Sequence, residues 1–217
     1  MTVDRARVVA AVAAVRSRIA AAGGDESVVI LAVTKGFGPD AIEAALAAGV
    51  PAIGENYTQE LIAKRDVAAG AEVHFIGQLQ RNKVRQLAGV VQVYETVDRE
   101  RLAVEIAQRD PGAGVLVQVD TTGEPGKGGC PIAELDPLIE AIRSLDLDLR
   151  GLMTVGPTEG GPEAARAGFR AVRAAADRLG LRVVSMGMSD DLEVAVQEGS
   201  TEVRIGSALF GERPVRT

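Results

Sequence analysis

The feature that most constrains this chain is a repeated alternation: from Val28 onward, short β-branched runs take turns with Ala-rich or Leu-rich segments of helical period. Such a pattern predicts parallel strands joined by crossover helices, because antiparallel hairpins need no helix between them. Eight runs read as strands: Val28–Lys35, Pro51–Asn56, Val73–Gln78, Val93–Asp98, Val115–Asp120, Leu149–Val155, Leu181–Met188 and Glu202–Phe210. Seven helical segments lie between them. Eight strands joined by right-handed crossovers predict a closed (β/α)8 barrel of the TIM type. An open doubly wound sheet usually has fewer strands and a reversal of strand order.

The helices declare themselves by their ends. Pro39 and Asp40 sit in a first turn, Ile42, Ala45 and Leu46 share a face, and Gly49 stops the run. A second helix begins at Pro162 and closes at Gly180. Few residues follow Phe210, so the long amphipathic segment from about Val3 to Ala22 is expected to take the place of the eighth outer helix. No composition shift or linker marks a boundary, and residues 1–217 are expected to form a single barrel domain.

Composition narrows the partners. With 3% aromatic residues and no Trp, the core must be built from Ala, Val, Leu and Ile. A net charge of −6 argues against general nucleic-acid or anionic-membrane binding, which needs a basic surface. The single cysteine, Cys130, excludes an intramolecular disulfide or Cys-based zinc site and fits a reducing, cytoplasmic setting. Charged residues interrupt the N-terminal segment, unlike a signal peptide or membrane span.

In a barrel of this kind the working residues gather where strands end, at the C-terminal rim. Lys35, closing "VVILAVTKG", is either a nucleophile whose amine is desolvated in the barrel mouth or a snorkelling lysine whose stem covers apolar surface. "SMGMSDD" and "VRIGSALFG" bring small residues and hydroxyls to the last two strand ends, the usual anion site of the fold. Their glycines could equally be turn residues, and Ser189 an N-cap for a helix over Leu192–Glu198. Arg204 points to the same side as Gly206; it is either a cation for the pocket or half of a rim salt bridge to Glu202, Asp190 or Asp191. His74, the lone histidine, reads more readily as a satisfied core residue than as a catalyst. "TTGEPGKGG" lacks the first Gly and the Ser or Thr of a phosphate loop, and no HExxH pair or Cys/His cluster supports a metal site.

Five blocks in order carry a resemblance: "LAVTKG", "IGENYTQE", "HFIGQLQRNK", "GLMTV" and "SMGMSDDLEVAVQEGSTEVRIGSALFGER". Nearly end to end, the chain resembles the pyridoxal phosphate homeostasis protein family. The resemblance implies a barrel like the N-terminal domain of alanine racemase, with pyridoxal 5′-phosphate (PLP) held as a Schiff base on Lys35. It also implies that Ser189, Gly206 and Ser207 hold the phosphate, that Arg204 faces the pyridine nitrogen and that Asn56 lies near the ring. Met186, Gly187 and Met188 would line the phosphate side, with His74 and Met153 behind the cofactor.

A racemase of this type uses a second base, normally a tyrosine from a further domain of the partner subunit. The chain has only Tyr57 and Tyr94, neither in a recognisable partner arrangement. An arginine at the pyridine nitrogen also weakens the ring as an electron sink. The expectation is therefore a cytoplasmic, monomeric, non-enzymatic PLP carrier serving PLP-dependent apo-enzymes. A low-activity PLP enzyme using Tyr57 or His74 as base, or a Schiff-base aldolase without cofactor, are the alternatives.

Overall fold

Residues 3–213 are described in the computed structural model, and in them the alternation closes into a barrel. The strands are β1 (Val29–Val33), β2 (Ala52–Glu55), β3 (Glu72–Phe75), β4 (Val93–Val97), β5 (Gly114–Asp120), the two-residue β6 (Cys130–Pro131), β7 (Asp148–Met153), β8 (Val183–Ser185) and β9 (Glu202–Ile205). They run parallel in the order β4-β3-β2-β1-β9-β8-β7-β5, and a β4–β5 pairing shuts the ring of eight. β6 pairs only with the end of β5, outside the ring.

Helices α2 (Pro39–Ala47), α3 (Thr58–Ala68), α4 (Val84–Leu87), α5 (Glu100–Arg109), α6 (Leu135–Arg143), α7 (Arg166–Leu179) and α8 (Leu192–Gln197) make the crossovers. Before them stands α1 (Arg5–Ala21), started by Asp4, whose side chain accepts from the amides of Ala6 and Arg7. α1 packs against α2, α8 and the short α9 (Ser207–Phe210), burying Val8, Val15 and Ile19. It fills the vacant outer position, as its length and pattern predict. Among the described residues no helix is long and apolar enough to cross a membrane.

Strand alternation sorts side chains into two environments. Val73, Phe75, Val115, Val117, Val119, Leu152 and Val184 face outward and join one aliphatic layer under the helices; Ile30, Ala32, Val203 and Ile205 join another beneath α1 and α2. Each Val, Ile, Leu or Phe among them, fully buried, contributes about 1.5–3 kcal/mol. The intervening residues face the barrel axis. On one side these are apolar, Val93, Leu116 and Met153. On the other they are His74, Glu95, Ser185, Glu202 and Arg204, all buried and polar.

Seven of the eight strands are shorter than the sequence suggests, three of them in ways that bear on the site. β1 stops at Val33, so Lys35 lies in a turn; β8 covers only Val183–Ser185; and the last run breaks at Gly206 into α9 instead of extending to Phe210. Apolar character continues past each break because those residues still pack inward, and periodicity alone does not separate a strand end from a buried turn.

Candidate functional site

At the mouth, the parallel register fixes who stands beside Lys35. β1 lies between β2 and β9, with Val33 opposite Gly54 and Ala32 opposite Ile205. The turn carrying Lys35 is therefore flanked by Asn56, just beyond β2, and by Gly206 and Ser207, just beyond β9. Ser189 follows the next strand, β8, and its hydroxyl meets that of Ser207 at 3.2 Å and accepts from the Ala208 amide at 3.4 Å. Lys35, Asn56, Ser189, Gly206 and Ser207 thus share one rim.

The lysine turn is pinned from behind. Thr34 donates its hydroxyl to Glu55 (2.6 Å), Lys64 of α3 donates to the Thr34 carbonyl (3.0 Å) and to Glu55 (2.8 Å), and Glu60 accepts the Gly36 amide (2.8 Å). Burial pushes the Glu55 carboxyl above its ordinary value, against the pull of Lys64 and Thr34. Lys64 and Glu60 were not legible as site residues; the available signal was their i,i+4 spacing on the helix after "IGEN". The Lys35 amine itself is held below its usual pKa, first by burial and then by the cations of Arg213 and Arg204. This is the direction a nucleophilic amine requires.

Arg204 is not part of a rim salt bridge. It is 5% exposed and lies within the barrel, donating Nη1 to the Ser185 carbonyl and hydroxyl (both 2.8 Å) and Nη2 to the Thr154 carbonyl (2.7 Å). Those are three of about five guanidinium N–H groups, so two remain for another acceptor. His74 is a core residue, as its position suggests, and it has carboxylate partners that spacing did not reveal. Its Nδ1 meets Glu95 at 2.6 Å and lies 3.8 Å from Glu202, while Nε2 is 3.8 Å from Glu72. Burial alone would lower the imidazole, but Glu72, Glu95 and Glu202 overcome it and raise it to about 10.

The remaining sequence candidates separate by face. Met186 continues the alternation outward and is buried in the helix-facing layer, so its side chain does not line the mouth. Met188 is 42% exposed at the rim. Gly187 takes a φ of +93°, and a Cβ there would lie 2.4 Å from that of Ala195; its carbonyl accepts the Arg204 amide at 3.0 Å. Ser189 is not the N-cap of α8. Asp191 occupies that position and accepts the Met188 amide at 2.6 Å, which frees the Ser189 hydroxyl for the mouth. Met153 packs inside with Val93 and Leu116. The "TTGEPGKGG" loop is organised by Asp120, which accepts the amides of Thr122 and Gly123.

A parallel eight-stranded barrel with a lysine, a pair of serines and a buried arginine at its C-terminal mouth defines a class, and the family described as alanine racemase, N-terminal domain, matches residues 3–214. A barrel from the alanine racemase of Clostridium difficile superposes with a TM-score of 0.71 at 16% identity, over 92% of this chain and 56% of that one, a likeness of fold alone. The pyridoxal phosphate homeostasis protein of Pseudomonas aeruginosa is 42% identical over 211 residues, covering 93% of this chain and 92% of that one. PipY of Synechococcus elongatus, solved with PLP bound, superposes with a TM-score of 0.84 at 30% identity over 94% of this chain and 100% of that one. The chain belongs to the pyridoxal phosphate homeostasis protein family.

Proposed function

We propose that this chain holds PLP at the barrel mouth, covalently through Lys35, and keeps it without turning over amino acids, as part of intracellular vitamin B6 homeostasis. The observation that carries the reading is the partly buried Lys35 amine, held below its usual pKa beside Asn56, Ser207 and the Arg204 guanidinium. The residues fit the group. Asn56 Oδ1 is buried without a hydrogen-bond partner, Arg204 has N–H groups to spare, and the paired hydroxyls of Ser189 and Ser207 suit a phosphate. PLP bound here would supply an aldehyde, and Lys35, whose amine pKa is lowered, would hold it.

The chain's own groups favour retention over turnover. Arg204, permanently charged, keeps a ring nitrogen beside it unprotonated and so weakens electron withdrawal. His74, raised to about 10 and bound to Glu95, carries its proton at neutral pH and does not serve as a base. Tyr57 is 53% exposed at the rim and is the remaining candidate. On this reading Lys35, Asn56, Gly187, Ser189, Arg204, Gly206 and Ser207 form the binding site of a monomeric, cytoplasmic barrel that yields PLP to apo-enzymes.

The test is an absorbance spectrum of purified protein loaded with PLP, beside Lys35→Ala. The wild type should show a visible band that the variant lacks. Incubation with L-amino acids in heavy water should leave Cα undeuterated; deuterium uptake at an enzymatic rate, abolished in Tyr57→Phe, would make the protein an enzyme.

A further inference from the structure

Beneath the mouth, the polar half of the barrel interior forms one chain of opposite charges. Arg204 donates to the Ser185 hydroxyl (2.8 Å), that hydroxyl donates to Glu95 Oε2 (2.7 Å), and Glu95 Oε1 meets His74 Nδ1 (2.6 Å). His74 continues to Glu72 (3.8 Å), and Glu72 to Arg150 at 3.0 Å near the opposite rim. Glu95 and Ser185 are fully buried, and among the described residues Arg204 makes no direct carboxylate contact, so Glu95 is the nearest negative charge its hydrogen bonds reach. A serine that accepts from a cation and donates to an anion is polarised in both directions. Turning that hydroxyl around would break both bonds.

We propose that Glu95 is the positioning residue of the cofactor site: through Ser185 it fixes the Arg204 guanidinium at the pyridine nitrogen, and His74 and Glu202 set the charge that Glu95 presents. This rests on the PLP reading given above. Glu202 supplies the variable part. It lies on the same strand and side as Arg204, its Oε1 has no hydrogen-bond partner, and its other oxygen is 3.8 Å from His74. The charged and titratable groups facing it are Glu95 from β4, then His74 and, behind it, Glu72 from β3, with Ser185 of β8 beside them; Arg204 of β9 acts on Glu95. Burial, and then the Glu95 charge, hold the Glu202 proton to about pH 8. Once ionised, it competes with Glu95 for His74 and so changes the charge that Glu95 presents to Ser185 and Arg204.

The test uses the full chain, titrated with PLP and followed by the Lys35-dependent visible band. Glu95→Gln keeps the shape and removes the charge; it should weaken PLP retention by about ten- to a hundredfold and shift the band. Ser185→Ala removes only the bridging hydroxyl and should move both readouts in the same direction. Wild-type retention should weaken as pH rises through about 8, a step missing from Glu202→Gln. If Glu95→Gln folds cooperatively and binds PLP like the wild type, the inference is overturned. If Glu95→Gln does not fold, Ser185→Ala decides, and wild-type affinity and band there overturn it. Identical pH profiles for wild type and Glu202→Gln remove Glu202 from the device. A wild type with no band that Lys35→Ala abolishes would instead sink the PLP reading, and this inference with it.

Discussion

Gly187 shows how little freedom the mouth allows at single positions. Its φ of +93° disfavours any L side chain, and the Ala195 Cβ 2.4 Å from where its own would stand leaves no space for one. Both demands come from the same event, the chain leaving β8 and bending at once under α8 while its carbonyl accepts the Arg204 amide. Gly187→Ala should therefore cost about 2 kcal/mol or more of folding stability, read as a lowered urea midpoint at unchanged slope. A midpoint within error of the wild type would show that α8 moves aside freely. Gly77 is under a related constraint: a Cβ there would fall 2.0 Å from the Asn56 carbonyl, so that glycine lets the β3 end press Asn56 toward the mouth.

At the level of elements, α1 closes a gap and also reaches the site. Its Arg18 forks onto Glu193 of α8 (2.6 and 2.8 Å) and donates to the Ser189 carbonyl at 2.8 Å, tying the serine turn to the outer layer. The ion pair is over a third exposed, so it contributes only about 0–1 kcal/mol to folding. Its leverage is positional. Arg18→Ala should leave the urea midpoint nearly unchanged yet weaken PLP retention several-fold, because the Ser189 hydroxyl is then aimed by a looser turn. Equal affinities in the two proteins would reduce Arg18 to a surface pair. The place of α1 was legible from the missing eighth helix. Its hold on Ser189 was not, since Arg18 and Ser189 are 171 residues apart and nothing local connects them.

Across the whole molecule, strand count, order of elements and the meeting of Lys35, Ser189 and Ser207 at one rim could be read from the chain because they follow from period and from where runs stop; Asn56 and Arg204 were suggested by the family resemblance. The barrel interior could not be read from the chain. His74, Glu95, Ser185 and Glu202 come from four strands, and only ring closure brings them together. Their burial makes stability depend on pH in a definite direction. Glu202 keeps its proton to about pH 8 against an ordinary value of 4.5, so the folded state holds a proton that the unfolded chain releases. That contribution is complete below the unfolded value and is lost as pH rises through 8. His74, raised from 6.5 to about 10, behaves alike: its contribution is whole below 6.5 and lost towards 10. Glu72, lowered to about 2 by His74 and Arg150, acts oppositely, contributing above 4.5 and losing that as pH falls towards 2. Between pH 6.5 and 8 the first two losses add, so Tm should decline from about pH 4.5 to about pH 10, most steeply from 6.5 to 8. Glu202→Gln has no proton to lose there and should flatten the portion up to pH 8 while leaving the later decline due to His74. Parallel Tm curves for the two proteins would mean that Glu202 is already ionised at neutral pH, and that the barrel interior carries a full second negative charge beside Glu95.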